Sequence, residues 1–264
     1  MRSRRSTAAG RPWAGPGRTA GGTGRDTGGV IFDSVQRRLL GDVLDLGRDH
    51  GLAVTGGHAV RAHGLVDRAG PDLDFATESP VPMGELAVSL RDGLAARGRR
   101  AEVLEVVPLM ARLRVTEEPG GEPVEVRVMK EVLWRPPVQT GIGPVLDLED
   151  LVGTKVRALA DRGLARDVAA VYAARDRFGR GDLERLGARH DEAFDLRDLN
   201  GRLERLEWVD DGAFRACGLD DEEIGRLRAW AADWQQDIAE RLAEPYDEGA
   251  ESDEEPDGAE EPEG

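Results

Sequence analysis

The sequence predicts an α+β fold, with strands gathered in the first half, helices in the second and a disordered tail at each end. Three observations carry this. Four segments between 72 and 129 alternate apolar with charged residues, the period-2 pattern of a strand with one buried face. From 148 to 242 the chain reads as a succession of helices. The two ends have neither pattern. Residues 1–29 are rich in Gly, Arg, Ala, Thr and Pro and carry six arginines against Asp26 alone, whereas residues 244–264 hold eleven acidic side chains and no basic one.

Taken in order, Ile31, Val35, Leu39, Val43 and Leu46 recur every three or four residues, which predicts a helix from Ile31 to His50. Asp33 or Ser34 would cap its start, and Gly51 would stop it. Leu52, Ala53 and Val54 form a short strand that runs into Gly56 and Gly57, and Ala59 to Leu65 would follow as about two helical turns. Asp72-Leu73-Asp74-Phe75 is the next strand. Pro80 and Pro82 separate it from a helix over Gly84 to Arg97. Ala101–Val107, Met110–Thr116 and Pro123–Met129 read as three strands, the last two joined as a hairpin through Pro119, Gly120 and Gly121. Prolines and glycines between Trp134 and Pro144 predict an irregular stretch. Helices are then expected over 148–160, 165–175, 182–190, 196–206 and 221–242, with Trp230 and Trp234, four apart on the last, as packing residues. The organisation expected is a basic tail (1–29), an α/β core (30–147), a helical portion (148–243) and an acidic tail (244–264).

Composition narrows the function. The formal charge of the 264 residues is -16, and the part from 30 to 243 still carries -10, since the tails contribute +5 and -11. That balance gives no support for a nucleic-acid partner unless arginines form a local basic face. It favours a cationic small acceptor instead. Cys217 is the only cysteine, so neither an internal disulfide nor a cysteine zinc site can be built, and no histidine has a partner at metal-ligand spacing. The first residues lack the apolar run of a secretion signal, and no segment approaches the roughly 20 apolar residues of a membrane span. A soluble, cytoplasmic protein is the expectation.

The candidate site lies in Gly56-Gly57 followed, after a gap of 14 residues, by Asp72 and Asp74. A glycine turn feeding a helix presents backbone N–H groups to an anion. Two carboxylates one residue apart on a strand leave the same face and can hold a divalent cation together with substrate phosphates. The only lysines, Lys130 and Lys155, stand out in a chain whose other basic residues are arginines, because a lysine is a compact cation suited to reaching a phosphate.

With Arg68, Lys155, Ala165-Arg166-Asp167 and Val171-Tyr172 added, residues 35 to 180 resemble the AbiEii-type nucleotidyltransferases, toxins of type IV abortive-infection systems, which are similar to polymerase-beta-like nucleotidyltransferases. The resemblance implies a mixed sheet flanked by helices, with a helical C-terminal portion. It implies a nucleoside triphosphate as substrate and Mg2+, one ion or two, as cofactor. The acceptor would be a hydroxyl of RNA or tRNA, with a small hydroxylated molecule as the rival and nucleotide binding without efficient transfer as a third reading. An antitoxin partner is implied as well.

Residue by residue, Gly56 and Gly57 would cradle the triphosphate, and Asp72 and Asp74 would hold the metal. Arg68 would orient their loop or meet a phosphate, and His58 would touch the nucleotide or merely start the helix. Lys155 would neutralise phosphate charge, while Asp167 would orient Lys155 or help activate the acceptor; the plainer expectation for Arg166 and Asp167 is a helix ion pair. One departure stands out. Where such enzymes bring a third carboxylate from a neighbouring strand, this chain has Arg127. Glu125 is the nearest substitute, on the same strand face but about 6.6 Å away along it. Arg127 would then meet a phosphate instead.

Overall fold

The computed structural model describes residues 34–66 and 69–243. The predicted tails at 1–29 and 244–264, and Arg68, lie outside them. Among the described residues, helix α1 (Ser34–Leu46) ends in a 3-10 turn at Arg48–His50, and Gly51, at φ 61°, closes it in the left-handed region that glycine tolerates. The elements that follow are β1 (Ala53–Thr55), α2 (Gly56–Ala62), β2 (Leu73–Thr77), α3 (Met83–Ala96), β3 (Arg99–Val107), β4 (Met110–Glu117), β5 (Val124–Lys130), β6 (Val138–Thr140) and β7 (Gly143–Val145). Then come α4 (Leu148–Arg162), α5 (Ala165–Ala174), α6 (Arg180–Arg189), α7 (Leu196–Glu204), α8 (Asp211–Ala216) and α9 (Asp221–Ala243).

The seven strands form one mixed sheet in the order β3-β4-β5-β2-β1-β7-β6. β2 runs parallel to β5 and antiparallel to β1, and β7 runs parallel to β1. Alternation then sorts the side chains. Leu73 and Phe75 of β2 align with Val126 and Val128 of β5, and Ala111 and Leu113 of β4 align with the same two valines. All six are fully buried. Helix α3 packs against β3 and β4, with α1 lying on α3. The intervening residues, Asp74, Glu125, Arg127, Arg112 and Arg114, leave the other face of the sheet.

The helices from α4 onward surround a core of their own, built from Val156, Leu159, Val171, Leu199, Phe214, Leu227 and Trp234 among others. Trp234 is fully buried, donates its indole N–H to Glu184 at 2.8 Å and stacks beside Trp230, as the packing reading expects. Asp147 caps α4 by accepting from the N–H of Glu149. Gly163, at φ 61°, ends that helix and turns the chain into α5. Among the contacts that join the halves, Arg157 of α4 pairs with Glu131 beyond β5 at 2.6 Å, and Asp150 of α4 accepts from the N–H groups of Trp134 and Arg135.

Two elements depart from expectation. The stretch from 134 to 144 is not irregular, since it contains the β6–β7 hairpin. Thr140 closes that turn by donating to the carbonyl of Gly143 and accepting from the N–H of Ile142, and Leu146 adds the hairpin to the sheet by donating to Val54 O. Glycine and proline content marks turns; here the turn lies between two three-residue strands too short to show a period. The six-residue α8 was likewise not expected, and its cap is Asp210, which accepts from Gly212 N.

Candidate active site

The site begins with the way β1 passes into α2. Gly56 and Gly57 are the first two residues of that helix. Gly56 adopts φ 65°, and a Cβ there would stand 2.7 Å from both Cβ and Cγ of Asp74 and nearer still to one carboxylate oxygen. No side chain fits. The glycine turn and the acid are thus one packed unit, held by the antiparallel register that sets Thr55 opposite Asp74. Gly57 is less constrained, with the nearest atoms to a Cβ 3.6 Å or more away.

Asp72 and Asp74 leave the polar face of the sheet, with side chains 37% and 14% exposed. His58, the third residue of α2, is buried. Burial holds its pKa below the ordinary histidine value, against the pull of the Asp74 charge.

Arg127 lies directly beside Asp74 in the parallel β2–β5 register. Its Nε stands 2.7 Å from Asp74 Oδ1, an ion pair whose N–H is not aligned for a hydrogen bond. Its Nη2 donates to Asp72 Oδ2 at 3.5 Å. A guanidinium therefore occupies the space between the two acids.

The resemblance implies magnesium at this point, and two carboxylates are suitable ligands for one such ion. The arrangement is otherwise. Among the described residues no group of three or more His, Cys, Asp or Glu side chains could hold a metal ion. Glu125, expected as the third ligand, lies 4.0 Å from Arg112 instead, because β5 pairs with β4 and carries its carboxylate toward that strand's arginines. As arranged, these residues do not fit a pair of divalent ions.

A second charged group comes from the helices. The Asp167 side chain is fully buried at the start of α5, where it accepts from Arg162 Nε at 2.9 Å and from Lys155 Nζ at 3.3 Å. Burial pushes the Asp167 carboxyl up, but Arg162 and Lys155 outweigh it and hold the group below its ordinary value. Asp167 thus holds Lys155 and Arg162 in place from a buried position. Its partner is Arg162, not Arg166, because the turn at Gly163 brings the end of α4 back over the first turn of α5. Asp74 is among the charges that stabilise the Arg162 cation, so the helical cluster and the sheet acids face one another. Arg162 was not anticipated, since its role depends on a turn that places residues five apart in contact. Lys130, the other lysine, donates to the carbonyls of Ser79 and Val81 and fixes the chain after β2.

Comparison with known proteins gives the following. No protein-family model and no curated protein sequence matches the chain. Among solved structures, JHP933 from Helicobacter pylori is similar at 15% identity and a TM-score of 0.48, over 79% of this chain and 94% of its own. MenT4, a nucleotidyltransferase toxin from Mycobacterium tuberculosis, is similar at 16% identity and a TM-score of 0.49, over 79% and 91%. The Cid1 poly(U) polymerase, in a structure with MgGTP, is similar at 13% identity and a TM-score of 0.32, over 67% of this chain and 48% of its own. At these values the likenesses carry no weight for the activity, which has to be read from the site itself. Among the described residues no helix is long and apolar enough to cross a membrane.

Proposed function

We propose that the chain is a nucleotidyltransferase that binds a nucleoside triphosphate at the Gly56 turn and transfers its nucleotidyl group to an acceptor hydroxyl. The observation that carries this reading is the contact between Gly56 and Asp74, which makes an anion-binding turn and a carboxylate pair a single unit. Arg127 lies beside it, and Asp74 is among the charges acting on Arg162, which with Lys155 is oriented by Asp167. Fixed cations aimed at developing phosphate charge are the main demand of phosphoryl chemistry.

In this reading the acceptor oxygen bonds to the α-phosphorus as the bond from that phosphorus to the pyrophosphate oxygen breaks. Pyrophosphate leaves with the electron pair, and the hydroxyl proton passes to Asp72, the more exposed of the two acids. The acceptor is RNA, tRNA among them, or a small hydroxylated molecule; the net charge of -10 over residues 30–243 favours a cationic small acceptor of the aminoglycoside kind. Incubation with each α-labelled nucleoside triphosphate and either total RNA or aminoglycosides, with and without magnesium, tests both acceptors. Release of pyrophosphate with transfer of label is expected, and its absence with every acceptor contradicts the reading.

A second reading, a protein that binds nucleotide with little transfer, is favoured by the Arg127–Asp74 ion pair, which occupies a carboxylate the chemistry would use. Calorimetric binding without pyrophosphate release selects it. As a toxin of the AbiEii type the chain would be paired with an antitoxin protein in the cytoplasm. Growth arrest on expression, relieved by a neighbouring gene's product, is the corresponding test.

A further inference from the structure

We propose that Arg127 is a triphosphate-binding residue, and that it serves as the resident cation of this site, so that the nucleotide binds without a divalent ion. The inference rests on the reading of the Gly56–Asp74 unit as a nucleotide site and identifies how that site meets the phosphate charge.

A guanidinium has five N–H groups in a planar fork and no acceptor. Arg127 directs Nε at Asp74 and one N–H of Nη2 at Asp72. Nη1 has no partner among the described residues, and the side chain remains 27% exposed. Three N–H groups are thus available on the side away from the acids, in the geometry that binds phosphate oxygens bidentately. The two carboxylates orient the fork without exhausting it.

Charge bookkeeping agrees. Arg127 pairs with Asp72 and Asp74, and Lys155 and Arg162 pair with Asp167, so the site's acids are met by its own cations. With Arg127 already held between the acids, a triphosphate meets a paired guanidinium rather than two bare carboxylates, whose repulsion would otherwise require metal ions. The position of Arg127 is fixed by the sheet, since β5 pairs with β2 on one side and β4 on the other, and Arg112 blocks retreat toward β4 as its direct cross-strand neighbour. A like charge beside it keeps the guanidinium turned to the acids.

Calorimetry of the full chain with ATP and with GTP, in EDTA and in magnesium, tests this. Wild-type protein is expected to bind at least one of the two nucleotides in EDTA, with affinity changed less than about threefold by magnesium. Arg127→Gln is expected to weaken binding in EDTA by about tenfold or more, the loss of a charged hydrogen-bond donor, and Arg127→Lys by less. Thermal melts establish that each variant is folded. Manganese titration of nucleotide-free wild type, read by electron paramagnetic resonance, needs no variant and is expected to show no tight site, whereas Arg127→Asp is expected to gain one. Binding that vanishes in EDTA, an Arg127→Gln affinity equal to wild type, or tight manganese binding by wild type would overturn the inference alone. Failure of both nucleotides to bind in either buffer would instead overturn the nucleotide-site reading on which it rests.

Discussion

Arg127 stands 2.7 Å from Asp74 across two parallel strands in register, so the position opposite the acid pair is filled by a cation where a carboxylate was expected. This one pair sets the electrostatics of the site. It converts two adjacent acids, which would repel a triphosphate, into the anchors of a guanidinium that can receive one.

Gly56→Ala is predicted to damage the site more than Gly57→Ala. The alanine at 56 must adopt a left-handed conformation costing about 1–2 kcal/mol and must also push Asp74 aside. Nucleotide affinity measured by calorimetry should fall by about tenfold or more at 56 and by less at 57, where a Cβ meets nothing closer than 3.6 Å.

Lys155→Met is predicted to lower kcat by about a hundredfold, the usual cost of losing one charge-stabilising group, with little change in melting temperature. Arg162 continues to satisfy Asp167 when the lysine is gone. Steady-state kinetics beside a thermal melt separates this catalytic loss from a loss of folding.

Asp167→Asn should act the other way, on stability. The buried carboxylate holds two cations, and its removal leaves them uncompensated at a cost of about 3 kcal/mol or less, at the low end for buried pairs because Arg162 is half exposed. Its folded pKa lies below the ordinary 3.8, so the stabilisation is complete above that value and disappears as pH falls through the folded pKa. Wild-type melting temperature should therefore drop below about pH 4 more steeply than that of the variant.

His58 predicts a separate pH effect nearer neutrality. Its folded pKa is depressed below 6.5, so the unfolded chain binds the proton first and stability declines as pH falls from 6.5 toward the folded pKa. Thermal melts across pH 7.5 to 5 should show that slope in the wild type, and His58→Gln should flatten it.

Much of this arrangement was legible in the sequence because it depends on local periods. Alternation in Asp72-Leu73-Asp74-Phe75 set both acids on one strand face, and the apolar spacing from Val35 to Leu46 gave the first helix nearly to its end. Arg127 was singled out by setting its strand position against the third carboxylate that the family resemblance implies. What it pairs with was not legible, since that depends on the parallel register between β2 and β5, two segments about fifty residues apart. Glu125 was likewise assigned toward the acids, when β4 draws it to Arg112. Arg162 escaped notice because the turn at Gly163, read as a break between helices, also folds one end of α4 onto α5. The β6–β7 hairpin is too short to carry a period, and its place in the sheet is set by a bond from Leu146 to Val54.

The unit of Gly56, Asp72 and Asp74 is proposed to move a nucleotidyl group. Its most direct test is label transfer from an α-labelled nucleoside triphosphate, comparing wild type with the Asp72→Asn, Asp74→Asn double variant against RNA and small hydroxylated acceptors. Label on an acceptor is expected with wild type, with pyrophosphate released in equal amount, and neither with the folded double variant. No transfer by wild type to any acceptor, or transfer undiminished in the double variant, would contradict it.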